Sequence, residues 1–168
     1  MEPDLPPVRL FVAVWPPPEL LDGLVRPDVP SVRWTPREHL HVTLRFLGRA
    51  SVAATSAALD RLSASAAVAV VGPVTERLGR GVLMVPVAGL EAVAAAVAAV
   101  LPDDDVRPFL SHLTVARGRG RRGSVPSSLA GSPVTGTFPV EEVTLVRSRG
   151  GRYDVVGRWV LEPNTRSQ

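Results

Sequence analysis

Residues 39–48 read HLHVTLRFLG and residues 109–117 read FLSHLTVAR. In both, apolar and polar residues alternate with period two, the pattern of a β-strand with one face buried. Inside them lie His41-Val42-Thr43-Leu44 and His112-Leu113-Thr114-Val115, the same motif 71 positions apart. The repetition predicts a two-lobed chain with approximate internal symmetry, its two motif strands meeting across a cleft.

Outward from these strands the chain is read from its breakers. Residues 9–15 (RLFVAVW) are β-rich and stop at Pro16-Pro17-Pro18, and residues 18–25 suit one or two helical turns with Pro18 near the start. Residues 32–35 suit a brief extended piece. Residues 51–67 place Ala and Leu at helical spacing behind Ser51, a good N-cap. Residues 68–78 and 82–87 are β-rich about Gly79 and Gly81 and read as a hairpin. An Ala/Val helix over 90–101 ends at Pro102 and the acidic Asp103-Asp104-Asp105. After a long irregular stretch, 118–136, residues 140–147 and 153–161 form a closing strand pair turned at Gly150-Gly151. Strands and helices do not alternate strictly, so the expected class is α+β with antiparallel sheets and flanking helices around a central cleft. With 168 residues, 45% of them apolar, one substantial core is expected, hence a single bilobed domain over 1–168.

All 19 basic residues are arginines, and the formal charge is only +3. Its distribution is uneven: from Arg107 onward ten arginines face four acids, whereas residues 1–106 carry nine against twelve. The C-terminal third is suited to a polyanion or is a solvated basic face. Cysteine is absent, which excludes disulfides, thiolate metal sites and cysteine nucleophiles. The start carries Glu2 and Asp4 and no basic n-region, and the longest apolar run, 92–101, is too short to span a bilayer. A cytoplasmic protein without a membrane partner, and a monomer, is expected.

Of three histidines, two have Thr at +2. On a strand these positions share a face about 6–7 Å apart, so each motif sets an imidazole beside a hydroxyl. A pair of imidazoles is suited to a phosphodiester, because a neutral one deprotonates water while a protonated one donates to the leaving oxygen. His41 and His112 are the candidate catalytic pair, and Thr43 and Thr114 can hold nonbridging oxygens. Two arginines compete for the phosphate. Arg45, at i+4 from His41, shares its strand face, whereas Arg117, at i+5 from His112, reaches the cleft only if the strand ends or bulges first. His39 makes H-x-H with His41, but a metal needs further ligands and the three aspartates read better as a solvated loop, so no metal or cofactor is expected. The segment RGRGRR at 117–122 either tracks an RNA backbone or is an exposed loop. Among aromatics, Phe46 alternates away from His41 toward the core, and Tyr153, after the Gly turn, is the candidate for stacking on a base.

The segments RLFVAV, WTPREHLHVTLRFLG, GVLMVPV, FLSHLTVARG and LVRSRGGRYDVV resemble, in register over nearly the whole chain, the RNA 2′,3′-cyclic phosphodiesterases, also called 2′-5′ RNA ligases, of the 2H phosphoesterase superfamily. The resemblance implies a two-lobed antiparallel fold, no metal, His41 as proton donor, His112 as proton acceptor, and Thr43 and Thr114 on the phosphate. It favours Arg117 over Arg45. The implied reaction is hydrolysis of RNA or nucleoside 2′,3′-cyclic phosphate ends to 2′-phosphates, with reverse 2′-5′ ligation as a further capacity of the same histidines. Met84 and Ser111 depart from the family, which often has a large aromatic and a proline there. Two alternatives stand beside this reading: a 2H esterase for other small cyclic nucleotides, and a noncatalytic RNA-binding module built on the arginine-rich third.

Overall fold

The computed structural model describes residues 6–102 and 108–164, so Glu2, Asp4 and the Asp103-Asp104-Asp105 loop lie outside the described residues. Ten strands run in chain order as β1 (Val8–Val14), β2 (Val32–Trp34), β3 (Val42–Ala50), β4 (Ala67–Val71), β5 (Glu76–Leu78), β6 (Val82–Ala88), β7 (His112–Gly118), β8 (Gly136–Val140), β9 (Glu142–Arg149) and β10 (Arg152–Val160). Two α-helices, α1 (Val52–Leu59) and α2 (Glu91–Val100), and two single-turn 3-10 helices, Arg37–His39 and Ser127–Leu129, complete the regular structure of the described residues.

The strands form one sheet in the order β10-β9-β1-β3-β7-β6-β4-β8, with β2 beside β7 and β5 beside β6, every strand pair antiparallel. At its centre the sheet almost parts. The motif strands β3 and β7 share a single residue pair, Val42 with Leu113, although β1 follows β3 over seven pairs and β6 follows β7 over five. The splay creates the cleft between a β10-β9-β1-β3 half and a β7-β6-β4-β8 half, which is the expected α+β architecture.

The continuous apolar run of β1 is explained by burial on both faces. Leu10, Val12 and Val14 enter the main core, which takes Leu59 from α1 and Val93 and Val97 from α2 and continues through Val85, Leu113 and Leu145. Phe11 and Ala13 point to the other face and pack with Val146 against Trp15 and Tyr153. Burying these side chains stabilises the fold by about 25 cal/mol per Å² of apolar surface removed from water, and it fixes which face of β3 is left for chemistry.

Several boundaries differ from the sequence reading. Residues 18–25 form hydrogen-bonded turns, not a helix, with Leu20 N–H donating to Pro17 C=O and Leu24 N–H to Leu21 C=O. The helix expected over 51–67 is capped as predicted, Ser51 Oγ accepting from Ala54 N–H at 3.2 Å, but ends at Leu59. The backbone at Ala64 and Ala66 instead pairs with Glu162, and that tertiary pairing outweighs the helical spacing. The hairpin is β5-β6 alone, because the chain breaks at Gly72, whose φ of 117° and contact with the Val134 carbonyl leave no room for a Cβ. β4 pairs β8 on its other side. Strand β8 contains two breakers, Gly136 and Pro139, within or beside the stretch expected to be irregular, and it survives as the last strand of the sheet, where a missing N–H is tolerated. No helix among the described residues is long and apolar enough to cross a membrane.

Candidate active site

The single β3-β7 pair sets the antiparallel register, which places His41 across from Thr114 and Thr43 across from His112. All four side chains line one cleft of about 670 Å³. Neither threonine hydroxyl has a side-chain hydrogen-bond partner among the described residues, so both are available to an anion's oxygens.

The two imidazoles are held alike. His41 Nδ1 lies 2.7 Å from the His39 carbonyl oxygen, and His112 Nδ1 lies 2.8 Å from that of Leu110. A carbonyl only accepts, so in each ring Nδ1 carries the proton and donates, and Nε2 is left as the nitrogen that gains or loses one. Each acceptor sits two residues upstream of its histidine.

Their surroundings differ. Phe11 stacks on His41 with centroids 5.0 Å apart and planes 29° apart, Trp15 lies at 5.3 Å, and Tyr153 meets it edge-on at 5.3 Å. Trp15 is fixed by donating Nε1–H to Thr144 Oγ1 at 2.8 Å, and that hydroxyl donates to the Ala13 carbonyl at 3.1 Å. This aromatic cage partly covers His41, and burial holds its imidazole below the ordinary histidine range; the bond to the His39 carbonyl opposes this, while Arg117, His112 and His39 add repulsion in the same downward sense.

Strand parity at the two arginines is decided by bulges. In β3, Arg45 pairs with Val12 and Thr43 with Ala13, which leaves Leu44 as the extra residue. In β7, Ala116 pairs with Leu83 and Thr114 with Met84, which leaves Val115 extra. The bulges thus fall 71 positions apart, at the same place in each motif, and each inverts the facing of the residues beyond it. Arg117 thereby enters the cleft at i+5 from His112. Arg45, which strict alternation places beside His41, is turned instead to the helix-bearing face, where it donates to the Leu101 carbonyl at 2.7 Å. The expectation for Phe46 is inverted by the same bulge: its ring lines the cleft, 70% exposed, 6.2 Å from Phe11. Phe46 and Arg117 are therefore equivalent positions of the two motifs.

Tyr153 also lines the cleft, but Phe11, His39 and His41 pack its ring, whereas Phe46 presents an open face. His39 rests on Tyr153 at 4.8 Å, and among the described residues no three His, Asp or Glu side chains converge as metal ligands. The 117–122 segment is a pinned turn: Gly118 N–H donates to Gly81, Arg119 N–H to Ser31, and Arg119 Nε–H to Val32. Arg121 and Arg122 are exposed and stand outside the cleft lining. The cage residues Phe11 and Trp15 escape the sequence reading, although their common strand parity in RLFVAVW is a usable signal. A second hollow, about 650 Å³ along β9 and β10, carries Glu38, Glu141 and Glu142 and has the wrong charge for a phosphate.

No family model and no curated protein sequence matches the chain. Solved structures do. Escherichia coli LigT in apo form is 25% identical with a TM-score of 0.73, over 94% of this chain and 99% of LigT. LigT complexed with ATP gives 25% and 0.72 over the same shares, and TT0787 of Thermus thermophilus gives 26% and 0.70 over 92% of this chain and 98% of its own. The chain has the fold of LigT, a 2H phosphoesterase of the 2′-5′ RNA ligase family, and the resemblance read from its five sequence segments is matched by a structural likeness over more than nine-tenths of its length.

Proposed function

We propose that this protein hydrolyses 2′,3′-cyclic phosphate ends of RNA or nucleosides to 2′-phosphates by metal-independent acid/base catalysis. The observation that carries the reading is the matched pair of imidazoles, each with Nδ1 committed to a carbonyl and each across from a threonine hydroxyl in one cleft. The nucleotide complexes of LigT support a nucleotide ligand.

In the forward direction His112 Nε2 takes a proton from water, whose oxygen attacks phosphorus. The P–O3′ bond breaks in line, and His41 Nε2–H gives its proton to the departing 3′-oxygen. Thr43, Thr114 and the Arg117 guanidinium take the charge that builds on the nonbridging oxygens. The aromatic cage makes the His41 imidazolium a stronger acid, which assists protonation of a poor leaving group. With a 5′-hydroxyl in place of water as the attacking group, the same proton transfers in the same sense form the P–O5′ bond as the P–O3′ bond breaks, and so join RNA ends through a 2′-5′ linkage.

The deciding experiment is incubation with a nucleoside 2′,3′-cyclic phosphate and phosphorus NMR of the product against both monoester standards. The 2′-phosphate alone is expected, unaffected by EDTA. A mixture of monoesters refutes the flanking geometry, and absence of turnover leaves the arginine-rich binding module as the better reading.

A further inference from the structure

The reacting phosphate engages Arg117, yet three more arginines, Arg9, Arg33 and Arg49, line the same cleft. They are arranged as cross-strand pairs. Arg33 lies directly opposite Arg117 in the β2-β7 register, and Arg9 directly opposite Arg49 in the β1-β3 register. Like charges facing each other across a ladder destabilise a sheet, and they are ordinarily relieved by a neighbouring acid. Here none of the residues lining the cleft is acidic. Among the described residues Arg9, Arg33 and Arg117 make no ion pair or hydrogen bond from the side chain, and Arg49 makes only a 3.3 Å bond to the Pro7 carbonyl.

The Arg9-Arg49 pair is distinct from the histidine centre. Arg9 is two residues beyond Phe11, the ring stacked on His41, and so stands about 6–7 Å farther along the cleft face of β1. Arg49 follows Phe46 after a second bulge, at Leu47, which restores it to the side of Arg9. Ser148, opposite Arg9 on β9, adds a hydroxyl to the same rim. Between this rim and the histidines stands the open ring of Phe46.

We infer that Arg9 and Arg49 form a second phosphate subsite, which takes the 5′-phosphate of the terminal nucleotide while its cyclic phosphate lies between His41 and His112. The inference rests on the proposed function for the identity of the first phosphate and goes beyond it in naming the substrate as a nucleotide extended at its 5′ side. A guanidinium pair facing an anion gives paired, charge-assisted hydrogen bonds, and the anion removes the repulsion between the two arginines. The nucleoside between the subsites lies against Phe46.

The test compares adenosine 2′,3′-cyclic phosphate with its 5′-phosphorylated form, in the wild-type protein, in R9S/R49S and in R117M. The wild type should prefer the 5′-phosphorylated substrate by roughly tenfold to a hundredfold in kcat/KM, with the preference shrinking as salt rises. R9S/R49S should lose the preference, whereas R117M should lower both rates and keep their ratio. A preference undiminished in R9S/R49S, or its loss in R117M alone, overturns the subsite. Calorimetry with adenosine 3′,5′-bisphosphate and 3′-AMP reads the subsite without catalysis. Tighter binding of the bisphosphate, abolished in R9S/R49S, upholds it even if no cyclic phosphate is cleaved, and equal wild-type binding of the two refutes it even if cleavage occurs.

Discussion

Replacing Arg45 and Arg117 one at a time by methionine, which keeps the aliphatic stem and removes the charge, tests the proposal that Arg117 binds the phosphate while Arg45 is structural. The Arg45 guanidinium donates to the Leu101 carbonyl at 2.7 Å, just past the end of α2, where a cation also meets the negative end of the helix. A hydrogen bond from a charged group contributes about 1.5–3 kcal/mol, and partial exposure of Arg45 reduces this to about 1–2 kcal/mol. At about 2–4 °C per kcal/mol for a chain of this size, R45M should melt about 2–8 °C lower with kcat/KM on a cyclic nucleotide nearly unchanged. R117M should do the reverse. Loss of a donor aimed at developing phosphoryl charge lowers the rate about 10²–10³-fold, while the melting temperature holds or rises because Arg33 loses its facing cation. Differential scanning calorimetry and initial rates on the same preparations give both numbers. An R45M protein that melts normally but loses activity as R117M does would refute the bulge at Leu44 and with it the face assignment of the strand.

Ala in place of His41 or His112 should lower turnover by about two to four orders of magnitude with the fold retained, while H39A stays within a few-fold of wild type; steady-state rates on the three variants check this. Opening the cage by F11A should raise the His41 pKa toward the ordinary value, since burial is the largest cause of its depression, and nitrogen NMR of the ring reads the shift directly. Because His41 takes a proton less readily folded than unfolded, its contribution to stability is complete above about pH 6.5 and is lost as pH falls through the lower folded value; H41Q should flatten that part of the stability profile in urea melts. G118A should destabilise the fold by about 1–3 kcal/mol, because a Cβ there overlaps the Gly123 backbone, and thermal melting would show it.

What is legible in the sequence depends on the range of the interactions involved. The strands around both motifs, the Ser51 cap and the α+β class follow from local alternation and composition, and the structure has them. Arg45 and Phe46 are misplaced by one physical cause, a bulge that period-two reasoning cannot contain. For the strand over 109–117 the alternation leaves Arg117 conditional on a bulge, and that bulge lies at Val115. The shortened α1 and the strand β8 depend on partners far along the chain, Glu162 and β4, that no local window holds. The carbonyls that orient both imidazoles belong to the backbone and leave no residue type to read.

On the proposed reading, a site built from two copies of one motif leaves open which imidazole gives the proton and which takes it. The Nδ1 bonds and the facing threonines are alike on both sides, so the difference must come from their surroundings. It enters at two places. Position i+5 is Phe46 after the first motif and Arg117 after the second, which sets an open ring in one half of the cleft and a cation in the other. The cage of Phe11, Trp15 and Tyr153 then encloses only His41 among the described histidines' ring contacts, apart from the His39–Tyr153 pair. A nucleotide bound as proposed meets a stacking surface on one side and a charge on the other, so its two orientations differ in energy, and the two imidazoles differ as well because burial lowers the pKa of His41. On the proposed reading, that asymmetry selects the ester oxygen that faces His41, and a single monoester product is its chemical signature.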